Sequence, residues 1–236
     1  MVERKDAVMP HGYGWKKTAV QEKRELEEAR KINPSATIYD VSEPSEIGEY
    51  CVNAAVAIDA KNYVSAGDTF WGHLLTSAET YVNAIKRKIK DKDIPVINAG
   101  GARTTSMEDR KLVKEAKRRG WKKLAAVAVG DHYDRAVLVA DKINRKRGVR
   151  RRGIEIQVFR AEDVLSNPLI HGGGEEGEEG EAVGYRKRFE DMQESEPYKE
   201  LKRHEEKAIF IERFHLTRVA DFASIIFRPP VMSDKG

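Results

Sequence analysis

Lys123-Leu124-Ala125-Ala126-Val127-Ala128-Val129, followed at once by Gly130-Asp131, is the stretch that decides the fold. A near-continuous apolar run of this length, with no alternation of polar residues, is the pattern of a strand covered on both faces, as in a parallel sheet. Gly130-Asp131 turns the chain. Ala136, Val137, Ala140 and Ile143 then recur at helical spacing over residues 133–147.

Moving upstream, residues 107–119 read as a helix that buries Leu112, Val113 and Ala116, with Gly120 in the usual stop position. Before it, Ile94-Pro95-Val96-Ile97 is a short apolar strand leading into Asn98-Ala99-Gly100-Gly101, and a long helix is expected over residues 70–90. The N-terminal part repeats the alternation. Ala7-Val8-Met9 is a strand, His11-Gly12-Tyr13-Gly14 a turn, and residues 16–31 a helix ended by Asn33-Pro34. Thr37-Ile38-Tyr39 is a further strand candidate. A helix over 45–62 has Ser45 as its N-cap, and Ser65-Ala66-Gly67-Asp68 breaks the pattern. Downstream, Ile154-Glu155-Ile156-Gln157-Val158-Phe159 alternates and reads as a strand nearer an edge. Strands alternating with helices imply an α/β domain with a mainly parallel sheet over residues 1–166. The Gly/Glu-rich stretch 167–184 reads as a flexible linker, and 185–236 as a helical C-terminal extension that packs back on the domain.

Composition narrows the setting. Charged residues make up 35% of the 236, above the roughly 25% of an average soluble domain. The single cysteine, Cys51, excludes an internal disulfide and lies among apolar helical positions, so it reads as a buried small hydrophobe. No run approaches the ~20 apolar residues of a membrane span, and residues 1–6 are charged, so a cytoplasmic protein without a membrane partner is expected. A net charge of +4 from 43 basic and 39 acidic residues gives no global attraction to nucleic acid; only local patches could provide it. The six histidines are scattered without a helical two-His pair, so no metal site is expected.

In a parallel sheet, ligands bind beyond the carboxyl ends of the strands, and three such loops carry chemistry. His132 and Arg135 share one face of a first helical turn, where backbone N–H groups and the helix dipole favour an anion. Arg135 offers a fork for phosphate or carboxylate, and His132 can move a proton near neutral pH. Asp131 is equally an ordinary N-cap. The loop from Asn98 combines Gly100, Gly101, Arg103 and Ser106, suited to an oxyanion. Within it, Thr105-Ser106-Met107-Glu108 is also a capping box that accounts for Thr105 and Glu108. The first loop pairs His11 with Gly12 and Gly14, a weak glycine signal at a strand end.

The order of a helix opened by Thr105-Ser106-Met107-Glu108-Asp109, a buried strand, and then His132-x-x-Arg135-Ala136 resembles the YdcF and SanA family. Ser106 and Glu108 match the Thr and Glu of its first motif, whereas Thr105 and Asp109 stand where the family has Asn. His132, Arg135 and Ala136 match the second motif, with Val129 at its hydroxyl position. The resemblance covers about residues 6–160. It implies a Rossmann-like three-layer fold with a polar pocket at the strand ends, and an adenosine-type ligand such as S-adenosylmethionine. Members are linked to envelope maintenance, most of them through a membrane anchor that has no counterpart here. On this reading His132 and Glu108 are the acid/base pair. His11, Gly12, Gly14, Gly100, Gly101, Arg103, Ser106, Asp131 and Arg135 hold a small anionic or nucleotide-like ligand.

Three other readings stand beside it. Lys142, Arg145, Lys146, Arg147, Arg150, Arg151 and Arg152 form a basic run that could hold nucleic acid phosphates, or simply solvate a helix end. Ser65-Ala66-Gly67-Asp68-Thr69-Phe70 resembles the phosphate-holding motif of ribokinase-type sugar kinases, which would make Gly67-Asp68 a phosphoryl-transfer site. The C-terminal helices and acidic linker could engage a protein partner.

Overall fold

The computed structural model describes residues 3–11, 19–37, 41, 43–67, 77–102, 104–167, 176–196, 198–199, 202–203, 205–206 and 209. Five strands form one parallel sheet: β1 (Ala7–Pro10), β2 (Tyr63–Gly67), β3 (Val96–Ala102), β4 (Lys123–Ala128) and β5 (Glu155–Arg160), in the order β3-β2-β1-β4-β5. The order runs outward in both directions from β1 and β4, the doubly wound arrangement of a Rossmann-like fold. The described helices are α1 (Ala19–Ile32), α2 (Glu46–Ala57), α3 (Ser77–Lys88), α4 (Thr105–Arg119), α5 (His132–Asn144), α6 (Arg147–Arg150), α7 (Ala161–Leu165) and α8 (Glu176–Gln193). None is long and apolar enough to cross a membrane.

Side chains alternate across the central strands with the period of two that a pleat imposes, and so supply two cores. Val8, Tyr63, Ala125 and Val127 face one layer, with Tyr50 and Cys51 of α2, Tyr81 and Ile85 of α3, and Leu165 of α7. Ala7, Met9, Val64, Leu124 and Ala126 face the other, with Leu112 and Ala116 of α4 and Val139 and Ile143 of α5. β4 is the buried central strand that its composition requires, and β5 is an edge. Cys51 is buried, its thiol pushed well up by loss of solvent.

Several local expectations hold. Ser45 caps α2 by accepting from the Gly48 N–H, and Gly120 ends α4 at φ 76°. Others need correction. The helix expected over 45–62 ends at Ala57, and Ser65-Ala66-Gly67 does not interrupt structure but completes β2, all five residues of which are buried. Serine, alanine and glycine there read as a turn in sequence, yet a strand packed on both faces tolerates small side chains. β3 likewise runs through Gly100 and Gly101 rather than ending before them. The strand expected at Thr37-Ile38-Tyr39 falls largely outside the described residues.

Of the C-terminal extension, Tyr185, Phe189, Met192 and Tyr198 pack against the core of the sheet domain. The first helix of the extension, α8, starts at Glu176, inside the expected linker, where Glu176, Glu178, Glu179 and Glu181 are good helix formers around Gly177 and Gly180. Phe189 and Tyr185 lie against Tyr50, at ring separations of 5.7 and 6.1 Å, and the Tyr50 hydroxyl donates to the Tyr185 carbonyl. Tyr198 then closes over the turn after β4. A Cβ at Gly130 (φ 50°) would lie 1.7 Å from the Tyr198 hydroxyl, so only glycine fits both this backbone and this neighbour.

Candidate functional site

Three element ends converge where the strand order reverses. His11 follows β1 directly, and its backbone N–H donates to the Val127 carbonyl, which fixes it at the carboxyl edge of the sheet. Its side chain is fully buried. α4 enters beside it. Glu108 Oε2 lies 2.7 Å from His11 Nδ1, and Asp109 Oδ1 lies 3.7 Å from His11 Nε2. The imidazole is therefore held between two buried carboxylates.

His132 opens α5 from the next strand over. Its ring centroid is 5.3 Å from that of His11, with the planes inclined at 68°. His132 Nδ1 lies 2.8 Å from Glu205 Oε1, and Nε2 lies 3.3 Å from Thr105 Oγ1. Arg135 places Nε 3.0 Å from Glu205 Oε2 and Nη2 2.9 Å from His132 Nδ1. A neutral imidazole nitrogen cannot both donate to a carboxylate and accept from a guanidinium. We assign the proton to Nδ1, donating to Glu205, because an ionised carboxylate can only accept and a bare Nδ1 at 2.8 Å would set two lone pairs against each other, whereas Arg135 still has Glu205 Oε2 as its partner. Nε2 is then free to accept the Thr105 O–H.

The two histidines are tuned in opposite directions. Burial works to neutralise His11, but Glu108, by charge and hydrogen bond, and then Asp109 outweigh it, so its pKa is raised. Burial also dominates at His132, and there Arg135 reinforces it against the pull of Glu205, so its pKa is lowered. Glu205 feels the cost of burial too, yet His132 and then Arg135 hold it below the ordinary carboxylate range. The two environments push His11 and His132 apart, the kind of separation that acid–base chemistry uses.

Local capping differs from expectation in an instructive way. The N-cap of α4 is Thr104, whose hydroxyl accepts from the Met107 N–H, not Thr105. Thr105 and Glu108 are therefore not accounted for by a capping box. Their side chains are turned to His132 and His11 instead. Asp131 stands at the N-cap of α5 without making a side-chain cap bond.

No family model, curated protein or solved structure matches the chain.

Of the residues singled out in sequence, His11, Glu108, His132 and Arg135 come together, and Ser106 is buried in the same first turn of α4. Gly100 and Gly101 belong to the edge strand β3, separated from β1 by β2. Gly12, Gly14, Arg103 and Asp68 lie outside the described residues. Arg135 is not a free fork, since Glu205 already occupies it. Glu205 was not legible as a site residue. It sits 73 residues from His132 in a glutamate-rich stretch, and nothing local separates it from its neighbours. Asp109 was visible only as a departure from a motif. Among the described residues, no group of three or more His, Cys, Asp or Glu is placed to hold a metal ion.

Proposed function

We propose that the protein is a YdcF-like domain that binds a small anionic or nucleotide-like ligand at the carboxyl ends of β1 and β4. There it acts on the ligand by proton transfer, with His11 as donor and His132 as acceptor. The observation that carries this reading is the pair of buried histidines, 5.3 Å apart, issuing from the two strands that flank the reversal of strand order. That position is where open α/β sheets take their ligands. The residues of the family resemblance add support, because Glu108, His132 and Arg135 fall within this one cluster.

Charge explains why an acidic group suits the site. Glu108, Asp109 and Glu205 oppose Arg135 and a protonated His11, and the N-termini of α4 and α5 add about half a positive charge each. The cluster is close to neutral as built. An incoming phosphate or carboxylate therefore fits best by taking the place of the Glu205 carboxylate on Arg135 and His132. Glu205 is the one acidic member that arrives from the C-terminal extension rather than from α4.

A thermal-shift screen against nucleotides, S-adenosylmethionine and phosphorylated metabolites tests the reading, run on the parent, Arg135→Ala and His132→Asn. The expected result is a ligand that raises the melting temperature of the parent and of neither variant. A ligand that stabilises all three equally, or no shift with any compound, overturns it.

A further inference from the structure

The opposite pole of the sheet carries a feature that the histidine site does not use. Strands end at the histidines and helices run back, so the C-termini of α4 and α5 and the start of β4 gather at the far end. β4 alone separates the two poles by about 20 Å, six residues at roughly 3.3 Å each. The α4 end brings Lys117, Arg118 and Arg119, and Lys122 and Lys123 follow. Beyond α5, the turn of α6 brings the rest of the basic run. The two segments are adjacent: a Cβ on Gly148 would lie 3.9 Å from Lys117 Nζ, and Lys122 Nζ donates to the Arg152 carbonyl.

Residues 117–123 and 142–152 together hold twelve Lys and Arg and no Asp or Glu. The rest of the chain is left with 31 basic against 39 acidic residues, so a near-neutral total hides a strongly divided charge. Cations at helix C-termini are favoured by the dipole, and that accounts for Lys117, Arg118 and Arg119, two of which also pair with Glu115. The same dipole favours Arg145 at the C-cap of α5, but α6 is a single turn and offers little of it to Arg147, Arg150, Arg151 and Arg152. All five are exposed, and among the described residues none has a carboxylate in ion-pair range. Their mutual repulsion opposes folding, and the dipole of one helical turn offsets little of it.

We propose that this pole is a docking surface for the phosphodiester backbone of a nucleic acid duplex, read by charge and not by sequence. Guanidinium groups match phosphate oxygens bidentately. A membrane surface is disfavoured because Val149, the apolar residue of α6, is buried and leaves nothing to insert. A single strand is disfavoured because residues 142–152 hold no aromatic to stack on bases, and Trp121, the one aromatic of 117–123, is partly buried against the core with its ring facing the Arg119 guanidinium. The inference is independent of the histidine site.

The test is fluorescence anisotropy with the full chain and a labelled 20-base-pair duplex, as DNA and as RNA, from 50 to 200 mM salt. Neutralising about five phosphates predicts affinity falling on the order of 500-fold across that range. Changing Arg147, Arg150, Arg151 and Arg152 together to Ala should weaken binding on the order of 100-fold at 100 mM salt and flatten the salt slope. Changing Lys23, Arg24, Lys31 and Lys86 to Ala removes the same charge elsewhere and should cost far less. Circular dichroism melts confirm that both variants fold. Equal losses in the two variants, a salt-independent Kd, or binding only to polyglutamate or phosphatidylserine vesicles overturns the proposal.

Discussion

The His11 and His132 halves of the site are built alike and behave oppositely. In each, a histidine at the end of a central strand places Nδ1 on a glutamate, at 2.7 Å for His11 and 2.8 Å for His132. The difference lies in what faces the rest of the ring. His11 meets a second carboxylate, Asp109, whereas His132 meets the Arg135 guanidinium and the Thr105 hydroxyl. The same side chain, equally buried, thereby has its pKa raised in one half and lowered in the other. The halves also differ in origin. Glu108 and Asp109 are fixed in the first turns of α4, while Glu205 is delivered from a segment that reaches the site across the sequence.

The largest way to break this comparison is to remove the better-anchored carboxylate. Glu108→Gln leaves a buried imidazolium short of one partner and should cost about 3 kcal/mol, below the full penalty of an orphaned buried charge because Asp109 stays. Urea unfolding measures it, and a loss under 1 kcal/mol would mean that His11 is neutral in the folded protein. Next comes the clasp over the other half. Gly130→Ala places a Cβ against Tyr198 at a positive φ and should cost about 2 kcal/mol. It should shift the titration of His132 and leave that of His11 in place, and equal shifts in both would show that the halves are not separable.

The smallest effect is the pH dependence of stability, where the two histidines pull against each other. His11 binds its proton more tightly when folded, so its contribution is full below the ordinary value of 6.5 and is lost as pH rises through its raised folded pKa. The folded pKa of His132 is lowered, so its contribution is present above 6.5 and is lost as pH falls through that lowered value. Glu205 adds a separate loss on the acid side, below the ordinary carboxylate value. Stability near neutrality should therefore peak around the ordinary histidine value. His11→Asn should remove the decline on the alkaline side and His132→Asn the one between 6.5 and the carboxylate range. Chemical denaturation from pH 5 to 9 checks both, and variants that leave the profile unchanged would contradict the assignment.

Periodicity carried the scaffold further than it carried the site. The run 123–129 could only be a central strand, and the alternation of Ile154 to Phe159 marked an edge, because burial on two faces or one leaves a direct trace in composition. β2 left no such trace, since Ser65, Ala66 and Gly67 are turn formers in local terms and become strand only through their neighbours in the sheet. In the site, His132, Arg135, Glu108 and His11 were visible because each sits at a strand or helix end. The Thr-x-x-Glu spacing points Thr105 and Glu108 to capping, whereas the cap is Thr104, one residue earlier. Glu205 depends on long-range packing through Tyr185, Phe189 and Tyr198, and no local pattern encodes its contact with His132.

The central claim is that the two neighbouring histidines are shifted in opposite directions, His11 up and His132 down. Nitrogen-15 histidine NMR, titrated from pH 5 to 9 with His11→Asn and His132→Asn for assignment, tests it most directly. The expected spectrum shows His11 titrating above 6.5 as the imidazolium, and His132 titrating below 6.5 with its neutral-form proton on Nδ1. Two histidines titrating together near 6.5, or His132 charged while His11 is neutral, would contradict the donor–acceptor arrangement and the function built on it.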